Sequence, residues 1–418
     1  MESTSRKNLR ALTGRKISTY SGKRYGWVIA AIGAITALGA LGFGRHGYTV
    51  ILTSMKEGLG LSEVQAGDLA TGNLVGYLVS SVLCGLLASR FGPRIVISIS
   101  LFAVAAALLL TGWASSFHGA LVARILTGIA SGGANVPAMG LVSSWFSSQR
   151  RGLATGIAVS GSSFGLLITG LAVPAILLRY GPSGWRVAWF SLAAGALLIA
   201  IICAVFARNS PAARRRSAAL KGAEPHPLLR VLRSGRIWFL AGIYVLFGFS
   251  YIIYSTFFVR FLTAEAGFTM STAGAMWSGI GLVSIASGFL WGVVSDRLGR
   301  KYGLAMVFFL QFASFSLFGL WRVPAGYWVS AALFALTAWS IPAIMAASAG
   351  DVMGARLAPG ALGLLTLLFG IGQSAGPFVA GRIAHFSGSY SRAFLLAGAA
   401  ALAGALLSLT LRLKKPGG

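Results

Sequence analysis

About twelve apolar runs, almost all some 20 residues or longer, follow one another along this 418-residue chain with short polar breaks between them. In helical form each crosses roughly 30 Å of hydrocarbon. A chain composed this way has too little polar surface to cover a water-soluble core: 56% of its residues are hydrophobic and 10% charged, against a norm of about 25% charged. The runs predict spans near 27–52, 66–88, 94–113, 119–144, 153–178, 186–206, 237–262, 272–294, 302–321, 327–349, 360–385 and 391–411.

The formal net charge of +27 invites a nucleic-acid partner, but its placement argues otherwise. If the N-terminus lies inside, most basic residues fall on one side: the tail, the loop residues Arg90, Arg94, Arg150 and Arg151, the stretch from Arg208 to Arg236, and Arg297, Arg300, Lys301, Arg356 and Arg412. That is the positive-inside pattern, and basic segments also suit anionic headgroups of the bilayer. No nucleic acid is expected as a partner. The first run is too long for a signal-peptide core and follows about 25 polar residues, so it is expected to remain as an anchor. The expected setting is a bacterial inner membrane, with both termini cytoplasmic. Cys84 and Cys203 fall inside spans, so neither a disulfide framework nor a metal site is indicated, and no cofactor is expected.

The chain repeats itself. Gly85-Leu-Leu-Ala-Ser89-Arg90-Phe-Gly92-Pro-Arg94 and Gly292-Val-Val-Ser-Asp296-Arg297-Leu-Gly299-Arg300-Lys301 are versions of one phrase, 207 positions apart. Gly42-Phe-Gly-Arg45-His46-Gly-Tyr48-Thr49 matches Gly248-Phe-Ser-Tyr251-Ile-Ile-Tyr254-Ser255 at an offset of 206, and Gly60-Leu-Ser62 matches Gly267-Phe-Thr269 at 207. Near-constant offsets indicate two homologous membrane halves, as in repeat-built transporters. The expected division is a basic tail 1–26, a six-helix bundle 27–207, a cytoplasmic linker 208–236, a second six-helix bundle 237–411 and a tail 412–418. The linker reads equally as a basic tether or as one carrying a surface-lying helix.

The doubled phrase resembles the G-x-x-x-D-R-x-G-R-R motif of the major facilitator superfamily, and Arg124 with Gly128 and Gly132 resembles that superfamily's fourth-helix motif. Within it, Tyr25-Gly26-Trp27-Val28, and Trp145-Phe146 with Arg150-Arg151-Gly-Leu-Ala-Thr-Gly156, resemble the monocarboxylate and oxalate/formate transporters. Gly44-Arg45 to Tyr48-Thr49, Ala66-Gly67-Asp68 to Tyr77, and Trp339-Ser340-Ile341-Pro342-Ala343 resemble the YbfB/YjiJ-type branch. The resemblance implies an all-α membrane protein, twelve transmembrane helices in two pseudo-symmetric six-helix bundles, acting as a transporter and not as an enzyme. It also implies cytoplasmic gating by Arg90, Arg94, Asp296, Arg297 and Arg300. Ser89 departs from the motif: an acid belongs there, and its loss is expected either to weaken one cytoplasmic latch or to be offset by serine hydrogen bonding.

Polar side chains inside spans are costly and tend to line a cavity or to pair with one another. Arg45 is a candidate to hold a carboxylate through two parallel hydrogen bonds, with Tyr48 and Thr49 on its face. It equally reads as paired with Asp68 or as reaching to the interface. His46 titrates near neutrality, so His46, Asp68 and Arg124 are the proton-coupling candidates, with Asp68 expected beside Arg45. Asn135 shares a helical stripe with Arg124, Gly128 and Ser131, and is a substrate candidate or an interhelical hydrogen bond. Tyr251 and Tyr254, repeat-equivalent to Arg45 and Tyr48, are expected to face the same cavity. Trp339 and Gln373 are weaker cavity candidates, and Arg260 reads best as snorkelling to the interface. Asp351 is expected as a latch residue with Arg356.

These readings favour proton-coupled transport of a small organic anion, a monocarboxylate above others, by a monomer using alternating access. The alternatives are proton-driven export of amphipathic or cationic compounds, and a membrane sensor without net transport. No nucleotide-binding loop is present, so ATP-driven pumping is not expected. Gly161-Ser-Ser-Phe-Gly165 runs into Leu166, where drug/proton antiporters carry Gly-Pro, which disfavours export.

Overall fold

The computed structural model describes residues 24–210 and 227–411. The N-terminal tail up to Lys23, the linker's Arg214–Arg216 and Lys221, and the last residues from Arg412 lie outside the described residues, as does the side chain of Arg356. The helices are α1 (Arg24–Leu59), α2 (Glu63–Phe91), α3 (Pro93–Trp113), α4 (Phe117–Trp145), α5 (Ser148–Tyr180) and α6 (Gly184–Phe206). After a short helix Pro227–Leu232 come α7 (Gly235–Ala264), α8 (Met270–Ser284 with Ser287–Leu298), α9 (Arg300–Leu320), α10 (Pro324–Gly354), α11 (Gly360–Ser387) and α12 (Ser391–Leu409). Twelve apolar helices are thus present among the described residues, six before the linker and six after it. They run several residues beyond the apolar stretches, because the ends carry polar turns such as Lys56-Glu57 that extend past the hydrocarbon.

Local chemistry sets the ends. Ser62 accepts from the backbone N–H of Gln65 while Gln65 reaches back to the Ser62 N–H, a capping box that starts α2. Pro93 and Pro324 open α3 and α10 at positions whose N–H has no helical partner. The doubled phrase turns on equivalent glycines: Gly92 and Gly299 adopt φ of +90° and +96°, a region L side chains avoid. Two breaks carry no proline. α8 bends by 44° at Ile285–Ala286 between Ser284 and Ser287, and α1 is a π-helix over Leu38–His46.

Small residues let the helices approach closely. A Cβ on Gly128 of α4 would run into the Asn73 carbonyl of α2, and one on Gly161 of α5 into the Ala34 carbonyl of α1. We expect Gly128→Val to lower the melting temperature of the detergent-purified protein, by an amount corresponding to about 1–3 kcal/mol of overpacking. An unchanged melting temperature would show that α2 and α4 can separate at no cost.

The bundles meet along α2–α11, α5–α8 and α1–α7. On the side away from the linker, the far face, α2 and α11 touch through backbone at Gly67, Pro377 and Gly381, and α5 and α8 through Gly170 and Gly274. On the linker side Gly85, Gly156, Gly292 and Gly363 of the same helices have open space where a Cβ would stand. The close backbone contacts between the bundles are thus on the far-face side.

Candidate functional site

The π segment of α1 ends at Arg45 and His46, halfway along the spans. Glycines make it possible: Gly42 lies against the backbone of Gly165 in α5, and Gly44 against the hydroxyl of Ser131 in α4. The widened turn costs regular hydrogen bonding, and such segments concentrate at functional sites. Arg124 of α4 supports it by donating from Nη1 to the Gly44 carbonyl at 2.8 Å. Its guanidinium lies over the rings of Tyr48 (4.8 Å) and Trp189 (5.3 Å). Tyr48 in turn donates to the Ala66 carbonyl at 2.7 Å. Arg124 and Tyr48 are therefore tied into the first bundle.

Arg45 is held differently. Its guanidinium rests 4.5 Å above the Tyr77 ring, while its buried Nε and Nη2 have no hydrogen-bond partner. Those two nitrogens form one edge of the guanidinium, the edge that donates two parallel hydrogen bonds to a carboxylate-like group. Beside it is a pocket of about 10 Å³, room for one water, lined by Arg45, His46, Tyr48, Thr49, Asn73, Arg124, Ser255 and Thr256 among others. No carboxylate lines it.

His46 is buried, its ring 6.2 Å from that of Trp277 and 5.9 Å from that of Trp339. Trp339 crosses between bundles, its Nε1–H donating to Ser163 Oγ at 2.9 Å, and Thr49 donates to the Ser255 carbonyl at 2.9 Å across α1–α7. On the second bundle's wall, Gln373 donates to the Tyr251 hydroxyl. The Tyr251 ring stacks with Phe247 and Phe369. Asn135 donates to the Tyr77 hydroxyl at 2.9 Å and leaves its buried Oδ1 without a partner.

Three placements differ from the sequence expectations. Tyr254 does not face the cavity: it sits inside the second bundle among Phe258, Phe315, Phe318 and Phe334 and hydrogen-bonds Ser330 at 2.8 Å. Repeat equivalence fixes its helical phase, but the phenylalanine-rich neighbours of that half claim its ring. Asp68 is not beside Arg45; it accepts from Arg382 of α11 at 3.0 Å, because it lies one turn from the far end of α2, where α11 is closest. Arg260 does not reach out to an interface: it pairs with Glu63 at 2.8 Å.

At the linker face Arg300 holds Asp296 and Asp351, the latter at 2.9 Å, so Asp351 has an ion-pair partner other than Arg356. Arg94 has no acid to meet among the described residues, and Ser89 bonds its own helix at Leu86. Arg94 donates instead to the Ala204 carbonyl at 2.8 Å, and its N–H meets Asn209. Arg90 and Arg297 are exposed.

Tyr77 was not among the sequence candidates, though it supports both Arg45 and Asn135. The pattern Ala70, Asn73, Leu74, Tyr77 marks one face of α2 and was the available signal. Ser163 gave no such signal, because its importance arises from the approach of Trp339 and of Ser284, whose hydroxyl is 2.9 Å away, both from the other bundle.

The comparisons agree with this architecture. Residues 37–409 match the family described as the uncharacterised MFS-type transporter YbfB. The chain belongs to this family. Its YbfB-type assignment accords with the Gly44–Thr49 and Trp339–Ala343 stretches. Among curated relatives, a probable sulfoacetate transporter of Cupriavidus necator is 27% identical over 87% of this chain and 89% of its own. A hexuronate transporter of Bacillus subtilis is 26% identical over 86% and 88%. A probable nitrate/nitrite transporter of Mycobacterium tuberculosis is 27% identical over 74% and 80%. Among solved structures, a bacterial homologue of the lysosomal transporter Spinster, inward-facing and unoccupied, superposes with a TM-score of 0.71 at 18% identity, covering 92% of this chain and 95% of that one. The nucleoside transporter NupG gives 0.72 at 13% identity, covering 91% and 99%.

Proposed function

We infer that this YbfB-type transporter moves a small organic anion bearing a carboxylate or sulfonate group, a monocarboxylate above others, in company with protons. The observation that carries the reading is the unpartnered Nε–Nη2 edge of Arg45 in a pocket with two guanidinium groups and no acid. The six described carboxylates lie toward the ends of the spans: Glu57, Glu63, Asp68 and Glu265 toward the far face, Asp296 and Asp351 toward the linker face. A buried cationic site without a counter-ion favours an anionic ligand by several kcal/mol over a cation of equal size. The relatives named for sulfoacetate, hexuronate and nitrate support an anion as cargo, whereas cation export has no carboxylate in the central pocket to serve it.

His46 is the one imidazole lining that pocket, so it is the proton carrier in this reading. Asn135, Tyr251, Trp339 and Gln373 shape the rest of the site. The two bundles, 27–207 and 237–411, rock about the α1–α7 and α5–α8 contacts, with the linker 208–236 and both tails cytoplasmic and the monomer as the unit. The far face is then external and the cavity opens inward.

Proteoliposomes test the reading. Uptake of a labelled carboxylate or sulfonate should rise with an inward proton gradient, compete with other organic anions and ignore amines. In His46→Gln we expect the gradient stimulation to vanish while anion exchange at equal pH persists. Stimulation unchanged in that variant would remove His46 as the carrier, and uptake of amines alone would overturn the anion reading.

A further inference from the structure

At the far-face end of α11, outside the central cavity, a surface groove of about 430 Å³ is lined by Val379, Arg382, Ile383, Phe386, Ser387 and Arg392. Its wall is apolar and turned outward: Phe386 is 86% exposed and Phe378, two turns earlier on the same helix, 42%. In a chain that spans the bilayer, such side chains face acyl chains. Its rim is cationic. Arg392 is exposed, with no hydrogen-bond or ion-pair partner among the described residues. Arg382 uses only Nη1, for the Asp68 carboxylate and the Phe378 carbonyl, both at 3.0 Å.

We propose that this groove binds a phospholipid with an anionic headgroup, its phosphate between Arg382 and Arg392 beside the Phe386 ring and an acyl chain running inward along Ile383 and Val379. Two guanidinium groups at one rim match a phosphodiester, and the apolar wall beneath them matches hydrocarbon. A water-soluble anion would gain nothing from that wall. The position also has a consequence: the headgroup shares Arg382 with Asp68, so the lipid sits against one of the ion pairs that close the far face.

Native mass spectrometry of the detergent-purified chain, incubated with equal amounts of phosphatidylglycerol and phosphatidylcholine, tests this. The wild type should retain one phosphatidylglycerol in preference to phosphatidylcholine. Arg392→Ala should lower that retention about fivefold, the share of one interfacial cation, and Arg392→Lys should keep most of it. Arg179→Ala, at another exposed far-face arginine, should change nothing. Equal retention of the two lipids by the wild type, or undiminished phosphatidylglycerol on Arg392→Ala, would overturn the proposal. A loss as large in Arg179→Ala would do so too, since it would reduce the effect to general surface charge.

Discussion

Arg45→Ala should reduce anion uptake to near background while leaving the chain folded. The guanidinium makes no hydrogen bond through Nε or Nη2 and rests on the Tyr77 ring with the Tyr251 hydroxyl nearby, and Tyr251 keeps its bond from Gln373, so truncation leaves the empty protein's own contacts largely in place. In the loaded protein it removes a charge-assisted, two-point contact from a desolvated anion. Losing one side of such a pair costs about 2–5 kcal/mol, roughly 30-fold to several-thousand-fold in affinity. Arg45→Lys keeps the charge but not the flat two-donor edge, so it should fall between the two. Arg124→Ala is the contrasting variant. It removes the hydrogen bond to Gly44 and the contacts with Tyr48 and Trp189, so it should lower thermal stability as well as uptake. The check is initial uptake in proteoliposomes, alongside melting temperature in detergent. Wild-type uptake by Arg45→Ala would take from Arg45 the central role given to it.

The sequence carried the architecture further than it carried the site. Run lengths and the doubled phrase gave twelve helices and their pairing, because hydrocarbon thickness and the left-handed glycines at 92 and 299 are constraints on the local chain. Arg45 and His46 stood out for the same kind of reason: their cost in a span is visible residue by residue. What escaped depends on which helix stands opposite. Asp68 and Arg382 are 314 positions apart, and no local pattern couples them. Tyr254 has the helical phase of a cavity residue, yet it is drawn inward by Phe315, Phe318 and Phe334 from other helices. The π segment of α1 was visible only as a density of glycines, which reads equally as close packing. Arg94 shows a subtler limit: its motif implied an ionic latch, but the serine at 89 left it free to bind the end of α6.

The far-face closure yields the other large effect. Glu63, at the start of α2, accepts from Arg260 of α7 (2.8 Å), from Lys56 (3.3 Å) and from the Tyr390 hydroxyl (2.8 Å). Burial, with the Glu63 carboxylate beside it, pushes the Tyr390 phenol well above its ordinary range, so it remains a donor. One carboxylate thus ties α2 of the first bundle to α7 and the start of α12 in the second. Glu63→Gln would leave Arg260 with only Glu57 at 4.0 Å. The pair is partly solvated, with side chains 12% and 21% exposed, so the loss belongs at about 1–2 kcal/mol, below the range for fully buried pairs. That still moves the balance toward a far-face-open state by roughly 5- to 30-fold. Thr256→Cys, which places a thiol in the central pocket, reads this out when Cys84 and Cys203 are replaced by serine. An impermeant thiol reagent added from the far face should label it slowly in the otherwise wild-type chain and much faster with Glu63→Gln. Asp68→Asn should act in the same direction but less, because Arg382 keeps the Phe378 carbonyl and ring. It should also leave gradient-driven uptake in place if Asp68 serves the closure and not the proton. Labelling indifferent to Glu63→Gln would mean that the backbone contacts at Gly67 and Gly381 hold the far face shut by themselves.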